Sequence, residues 1–117
     1  LDACDLPLLE EIHVDGQSLL KPQNDRPLYW HYPHWGNQGG SPGSVVRLGD
    51  YKLIRYYSGK PPELFDLSAD ASEEKNLYSS KPEIAAELNK KLDAWLKETK
   101  ATLPLKNPDY PGEIKKW

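Results

Sequence analysis

The chain has 117 residues, of which 38% are hydrophobic and 28% charged, with a formal net charge of -3; such values suit one globular domain. The acidic balance argues against a nucleic-acid binder, which needs a basic face to neutralise phosphates. No apolar run approaches the ~20 residues that cross a bilayer, and no stretch reads as a charged-then-apolar leader.

The 11 prolines and a mean hydropathy of -0.76 predict long irregular connections around a modest core, because proline fixes φ and removes a donor. A lone Cys4 leaves no internal disulfide to form. The chain has no methionine and starts at Leu1, so it is expected to be a piece of a longer product.

Residues 1–26 read as a connector from a preceding domain. They hold a short apolar segment from Leu6 to Ile12, an Asp15-Gly16 turn signal and a polar stretch ending at Arg26. Residues 27–117 then read as the domain proper. Pro27 to Tyr32 is rich in aromatic residues and predicts a strand. Gly36 to Gly43, with four glycines and one proline in eight residues, can only be a loop.

Ser44–Leu48 and Tyr51–Tyr57 flank Gly49-Asp50, the pattern of a β-hairpin with a two-residue turn. In its second half Tyr51, Leu53, Arg55 and Tyr57 share one face, and Lys52, Ile54 and Tyr56 the other. Neither face is purely polar, so this strand is predicted to be central. Glu63 to Leu67 offers a further strand, and the acidic stretch from Asp66 to Asn76 reads as a solvated loop.

A helix is predicted from Pro82 to about Lys100, with Ser79 or Ser80 as the N-terminal cap, proline in the first turn and Glu83 at the positive dipole end. Ile84, Leu88, Leu92, Trp95 and Leu96 recur at spacings of three and four, which places them on one face. Three prolines after Thr102 predict an extended tail. The fold class is therefore α+β, a small antiparallel sheet of three to four strands packed against one C-terminal amphipathic helix. The sheet's other face is left to dock on a larger partner.

The residues with most chemistry run from Tyr29 to Gln38. Two imidazoles and four aromatic rings sit there, between a strand and a glycine-rich loop. Aromatic faces suit a sugar or aryl group, while His31, His34, Asn37 and Gln38 can fix orientation by hydrogen bonding. The plainer alternative makes the rings sheet core and the histidines loop anchors. His31 and His34 lack a third ligand at a zinc spacing. Cys4 stands outside any recognisable nucleophile motif, and the glycine loop does not match a phosphate-cradling pattern. Asp66, Asp70, Glu73 and Glu74 lack the spacing of a calcium loop.

The run from Arg26 to Pro42, followed by Val46-Arg47, Gly49 to Ile54, Glu63 to Leu67 and Glu73 to Leu77, resembles the C-terminal region of arylsulfatase-type sulfatases. The resemblance covers nearly the whole chain. It implies a hydrolase of sulfate esters that uses formylglycine and calcium, both held in an N-terminal catalytic domain missing here. No C/S-x-P-x-R motif occurs in this sequence. The fragment is thus expected to be inactive alone, with no catalytic residue, metal ligand or cofactor of its own. By resemblance it lends a substrate-pocket role to His31, His34, Asn37 and Gln38. The implied partners are the missing catalytic domain and a sulfated carbohydrate or aryl sulfate, with no nucleic acid and no membrane. The implied compartment is periplasmic or extracellular, or lysosomal in an animal. A free-standing carbohydrate-binding module and a purely structural docking domain are the alternatives from other classes.

Overall fold

A computed structural model of the chain describes residues 2–7, 11, 18, 20, 26–36, 39–105 and 108–109. A short 3-10 turn, Asp2–Cys4, precedes four strands and a helix: β1 Leu28–Tyr32, β2 Gly43–Leu48, β3 Tyr51–Tyr56, β4 Glu63–Asp66 and α1 Pro82–Glu98. Most of the expected 1–26 connector, with its Asp15-Gly16 turn, lies outside the described residues, as does the tail beyond 109.

The strands form one antiparallel sheet in the order β1-β2-β3-β4. Each strand pairs with its neighbour in sequence, which is the cheapest way to close a sheet from short connections. At the β2–β3 turn Leu48 pairs with Tyr51, and Gly49 takes the left-handed φ of 56° that side chains resist. Gly43 opens β2 for a different reason. A Cβ there would meet the Arg55 carbonyl oxygen at 2.9 Å, so the β1–β2 connection enters the sheet where only glycine fits.

Register sorts the side chains into two faces. The row Tyr29, Val46, Leu53, Leu64 and the adjacent row His31, Ser44, Arg55 point to one side. There Val46, Leu53 and Leu64 pack with Ala85, Leu88, Leu92 and Leu96 of α1 into the core. Full burial of such a side chain is worth about 1.5–3 kcal/mol, so this face carries the hydrophobic stabilisation of the fold. Arg55 also reaches Asp93 of α1 at 2.6 Å, but an exposed pair adds little beside the core.

The helix departs from expectation at both ends. Its N-cap is Lys81, with no side-chain cap, because Ser80 instead donates its hydroxyl to the Leu77 carbonyl at 3.1 Å, inside the preceding turn. Lys81 sends its ammonium back to the Tyr51 hydroxyl at 2.5 Å. At the other end the helix closes at Glu98, two residues before the expected Lys100. Lys100 adopts a left-handed φ of 51°, while its N–H bonds Lys97 and that of Ala101 bonds Leu96. This is a Schellman closure built without glycine. It turns the chain back over the sheet.

The acidic stretch after β4 is more ordered than a solvated loop would be. Asp70 accepts the backbone N–H groups of Glu74 and Lys75, at 3.1 and 2.8 Å, and these bonds hold its carboxyl below its usual range. Asn76 then accepts from the N–H groups of Leu64 and Tyr78 at 3.1 and 2.9 Å and donates to the Pro62 carbonyl at 3.2 Å. Asn76 thereby takes up the Leu64 N–H on the free edge of β4, whose carbonyls at Leu64 and Asp66 accept instead from the backbone N–H groups of Leu77, Ala69 and Asp70.

Candidate functional site

Strand alternation divides the aromatic cluster. Tyr29 and His31 turn towards α1, Trp30 and Tyr32 turn away, and His34 and Trp35 sit in the connection between β1 and β2. On the inner side Tyr29 stacks on Trp95 of α1, with centroids 4.8 Å apart and planes within 5°. Burial, with the charge of Glu98 adding to it, holds the Tyr29 phenol above its usual range. These two rings extend the core.

His31 has both ring nitrogens engaged. Its Nδ1 lies 2.7 Å from the Ser44 hydroxyl, and its Nε2 lies 3.0 Å from the Thr102 carbonyl oxygen, in the segment the helix closure folds back. Ser44 Oγ in turn lies 2.6 Å from the Tyr57 hydroxyl. A carbonyl can only accept, so Nε2 carries the proton that is donated to Thr102. In the neutral ring Nδ1 then accepts from Ser44, and Ser44 accepts from Tyr57. Each group in the chain Tyr57, Ser44, His31, Thr102 has a partner, and such a closed chain is stronger than its separate bonds.

A serine beside a histidine invites comparison with a nucleophile and its base. Ser44, however, is completely buried, so no substrate reaches its hydroxyl. The arrangement is structural chemistry, and it joins β1, β2, the end of β3 and the segment after α1.

His34 is in a different setting. It is exposed, meets Tyr32 edge to face at 5.6 Å, and has no hydrogen-bond partner among the described residues. Trp35 beside it is half exposed. The loop then tightens: the Gly36 N–H donates to the Gly40 carbonyl at 2.9 Å and the Gly39 N–H to the Gly36 carbonyl at 3.2 Å. Asn37 and Gln38 lie outside the described residues. The structure thus separates His31, held within the fold, from His34, presented outward at the sheet's end. Ser44 and Tyr57 carry no motif and were absent from the sequence-based site; only the hairpin register brings them to His31.

Among the described residues no group of three or more His, Cys, Asp or Glu side chains could hold a metal ion. The carboxylates of Asp66 and Asp70 are committed to local N–H and hydroxyl donors, and Cys4 is free and exposed. No helix among the described residues is long and apolar enough to cross a membrane.

Together the sheet and its helix define a small α+β unit, with the helix packed on one face of the sheet and an aromatic loop at one end. The model of the family N-sulphoglucosamine sulphohydrolase, C-terminal, matches residues 4–102, and the chain belongs to that family. It is 32% identical to Arylsulfatase K of Rattus norvegicus over 105 residues, covering 79% of this chain and 18% of the relative. With Arylsulfatase K of Danio rerio it shares 40% identity over 89 residues, covering 74% and 16%. Among solved structures it is similar to BT4656 in complex with its substrate D-glucosamine-2-N,6-O-disulfate. There the TM-score is 0.59 and the identity 26%, over 67% of this chain and 17% of that one. A putative sulfatase from Bacteroides thetaiotaomicron VPI-5482 shares the fold, with a TM-score of 0.59 and 23% identity over 96% and 25% of the two chains. The chain therefore spans between 16% and 25% of the length of these four proteins.

Proposed function

We propose that the chain serves as the C-terminal part of a sulfuric ester hydrolase and that the β1–β2 loop lends that enzyme part of its substrate pocket. The observation that carries this reading is the placement of His34 and Trp35 in the β1–β2 loop, inside the family match, with the imidazole presented outward. An imidazole without an internal partner can hydrogen-bond a hydroxyl or an anionic sulfate, and an exposed indole offers a flat face to a sugar or aryl ring. Asn37 and Gln38 would add carboxamide donors from the same loop. His31 would act from the stem, since both its nitrogens are already bonded.

Residues 27–117 form the accessory domain on this reading, and residues 1–26 lead in from the catalytic domain. Calcium and the formylglycine nucleophile belong to that larger domain, so this chain contributes binding and stability rather than bond cleavage. The substrate class is a sulfated carbohydrate or an aryl sulfate, with the substrate of BT4656 as the natural first probe. A periplasmic, extracellular or lysosomal compartment follows from the same family reading. The outer sheet face, with Leu28, Trp30 and Tyr32 exposed, is the surface offered to the catalytic domain.

The test is kinetic, in the full-length enzyme. His34→Ala should lower kcat/KM about tenfold for D-glucosamine-2-N,6-O-disulfate, mainly through KM, while sulfate is still released. Unchanged constants would remove the loop from the pocket, and a full-length protein that releases sulfate from no ester would reject the hydrolase reading.

A further inference from the structure

We infer that Ser44 and Tyr57, acting through His31, are positioning residues that set the β1–β2 loop for substrate, an inference that rests on the pocket reading above. The geometry lies at the stem of the loop. Tyr32 and Gly43 form the last rung of the β1–β2 ladder, and His31 and Ser44 the rung before it. At that rung the side chains add a cross-strand hydrogen bond of 2.7 Å to the backbone pairing. Tyr57 then holds the far strand of the stem twice, through its hydroxyl to Ser44 at 2.6 Å and through its N–H to the Pro42 carbonyl at 2.9 Å. Its ring also meets His31 edge to face at 5.9 Å.

This arrangement exceeds what closing a hairpin requires. The β2–β3 turn is simpler: beyond Gly49, its backbone rung and the Leu67 N–H on the Asp50 carbonyl, it has one exposed side-chain bond, from Arg47 Nε to the Gly49 carbonyl at 3.2 Å. At the β1–β2 stem the fold instead commits a fully buried serine, a tyrosine, a histidine and a carbonyl from beyond α1. Buried polar groups are costly unless every member is satisfied, and when satisfied they fix one geometry. What this one fixes is the direction in which His34, three residues along from His31, leaves the sheet. A misplacement of about 1 Å in a binding group costs up to about a hundredfold in rate, so a rigid stem has a functional consequence that a loose one lacks.

The experiment compares Ser44→Ala, Tyr57→Phe and His34→Ala in the full-length enzyme. Tyr57→Phe keeps the ring and loses only the hydroxyl, so it guards against a folding failure in the serine variant. Two readouts are taken: amide exchange in the peptides containing Gly36 and Tyr57, and kinetics on two probes, the sulfated saccharide of the preceding test and the small ester 4-nitrophenyl sulfate. The two stem variants are expected to speed exchange at both peptides and to raise KM for the saccharide at least about fivefold. The loss on the small ester should be smaller, because its one aryl ring has fewer contacts with the loop to lose than a saccharide with several hydroxyl and sulfate groups. Wild-type exchange and saccharide KM in both stem variants, beside a weakened His34→Ala, would overturn the positioning role alone. Equal losses on both probes would overturn it as well, by showing general damage. Unaltered saccharide kinetics in His34→Ala would instead sink the pocket reading on which the inference stands.

Discussion

The two faces of the sheet are built from similar residue types and meet opposite fates. On the inner face Val46, Leu53 and Leu64 are completely excluded from solvent beneath α1. On the outer face Trp30 remains 51% exposed and Tyr32 53%. Composition alone therefore does not separate a core face from a contact face; what separates them is whether this chain supplies a cover. The outer face is also graded. Phe65, on the β4 side, is only 4% exposed, and exposure increases towards β1, the strand that leads into the His34 loop. The open part of the sheet and the outward histidine thus lie at neighbouring positions, an arrangement in keeping with the proposed docking beside a pocket.

The comparison breaks most directly at the inner face. Leu92→Ala and Leu53→Ala each remove a side chain with no solvent exposure, and each should cost about 2–5 kcal/mol in urea denaturation of the chain. A loss below about 1 kcal/mol would mean that the inner face is not where stability resides. Asn76→Ala comes next. It strips acceptors from the N–H groups of Leu64 and Tyr78 and a donor from the Pro62 carbonyl, and leaving such groups unpaired should cost about 1–3 kcal/mol. The same substitution should speed amide exchange at Leu64, the strand residue it serves.

The inner face was largely legible in the sequence, since period-two alternation and the three-and-four spacing of Leu88, Leu92 and Leu96 are direct imprints of burial. The four strands and their meander order follow from the same patterns and from the short turns between them. The helix ends were less legible. Of the two serines before Pro82, Ser80 bonds the preceding turn instead of capping the helix, and the closure at Lys100 puts lysine where glycine is the usual signal. The site was least legible of all. The sequence singles out His31, but whether it faces inward depends on strand register. A long glycine-rich connection leaves that register open, as a two-residue turn does not. Ser44 and Tyr57 each lie 13 residues from their partners and belong to no motif, so only the folded sheet identifies them.

A smaller effect sharpens the contrast through pH. Glu63, in the outer-face row at β4, accepts from the Tyr56 hydroxyl at 2.6 Å and pairs with Lys60 at 3.0 Å. Burial pushes its carboxyl up, but the bonds from Tyr56 and Lys60 outweigh burial and hold it below its ordinary 4.5. The folded chain therefore binds this proton less readily than the unfolded one. The linked stability is present above the unfolded value and is lost as pH falls through the depressed one. Glu63→Gln should cost about 0.2–1 kcal/mol at neutral pH. The gap between variant and parent should close below pH 4.5, read from urea midpoints at several pH values. A gap that persists in acid would assign the cost to lost packing instead of charge.

The smallest expected effect is the most telling about the open face. Trp30→Ser removes a large aromatic side chain that is 51% exposed in this chain, so the 117-residue chain should lose about 0.5 kcal/mol, as at other surface positions. In the full-length protein the same substitution should do much more if the catalytic domain covers Trp30, because a buried interface aromatic costs about 2 kcal/mol or more on truncation. Thermal unfolding of both forms, with and without the substitution, separates the cases. A loss confined to the full-length protein places the domain contact on the outer face. A large loss in the chain alone would show that this chain already covers Trp30, and the distinction between a closed and an open face would not hold.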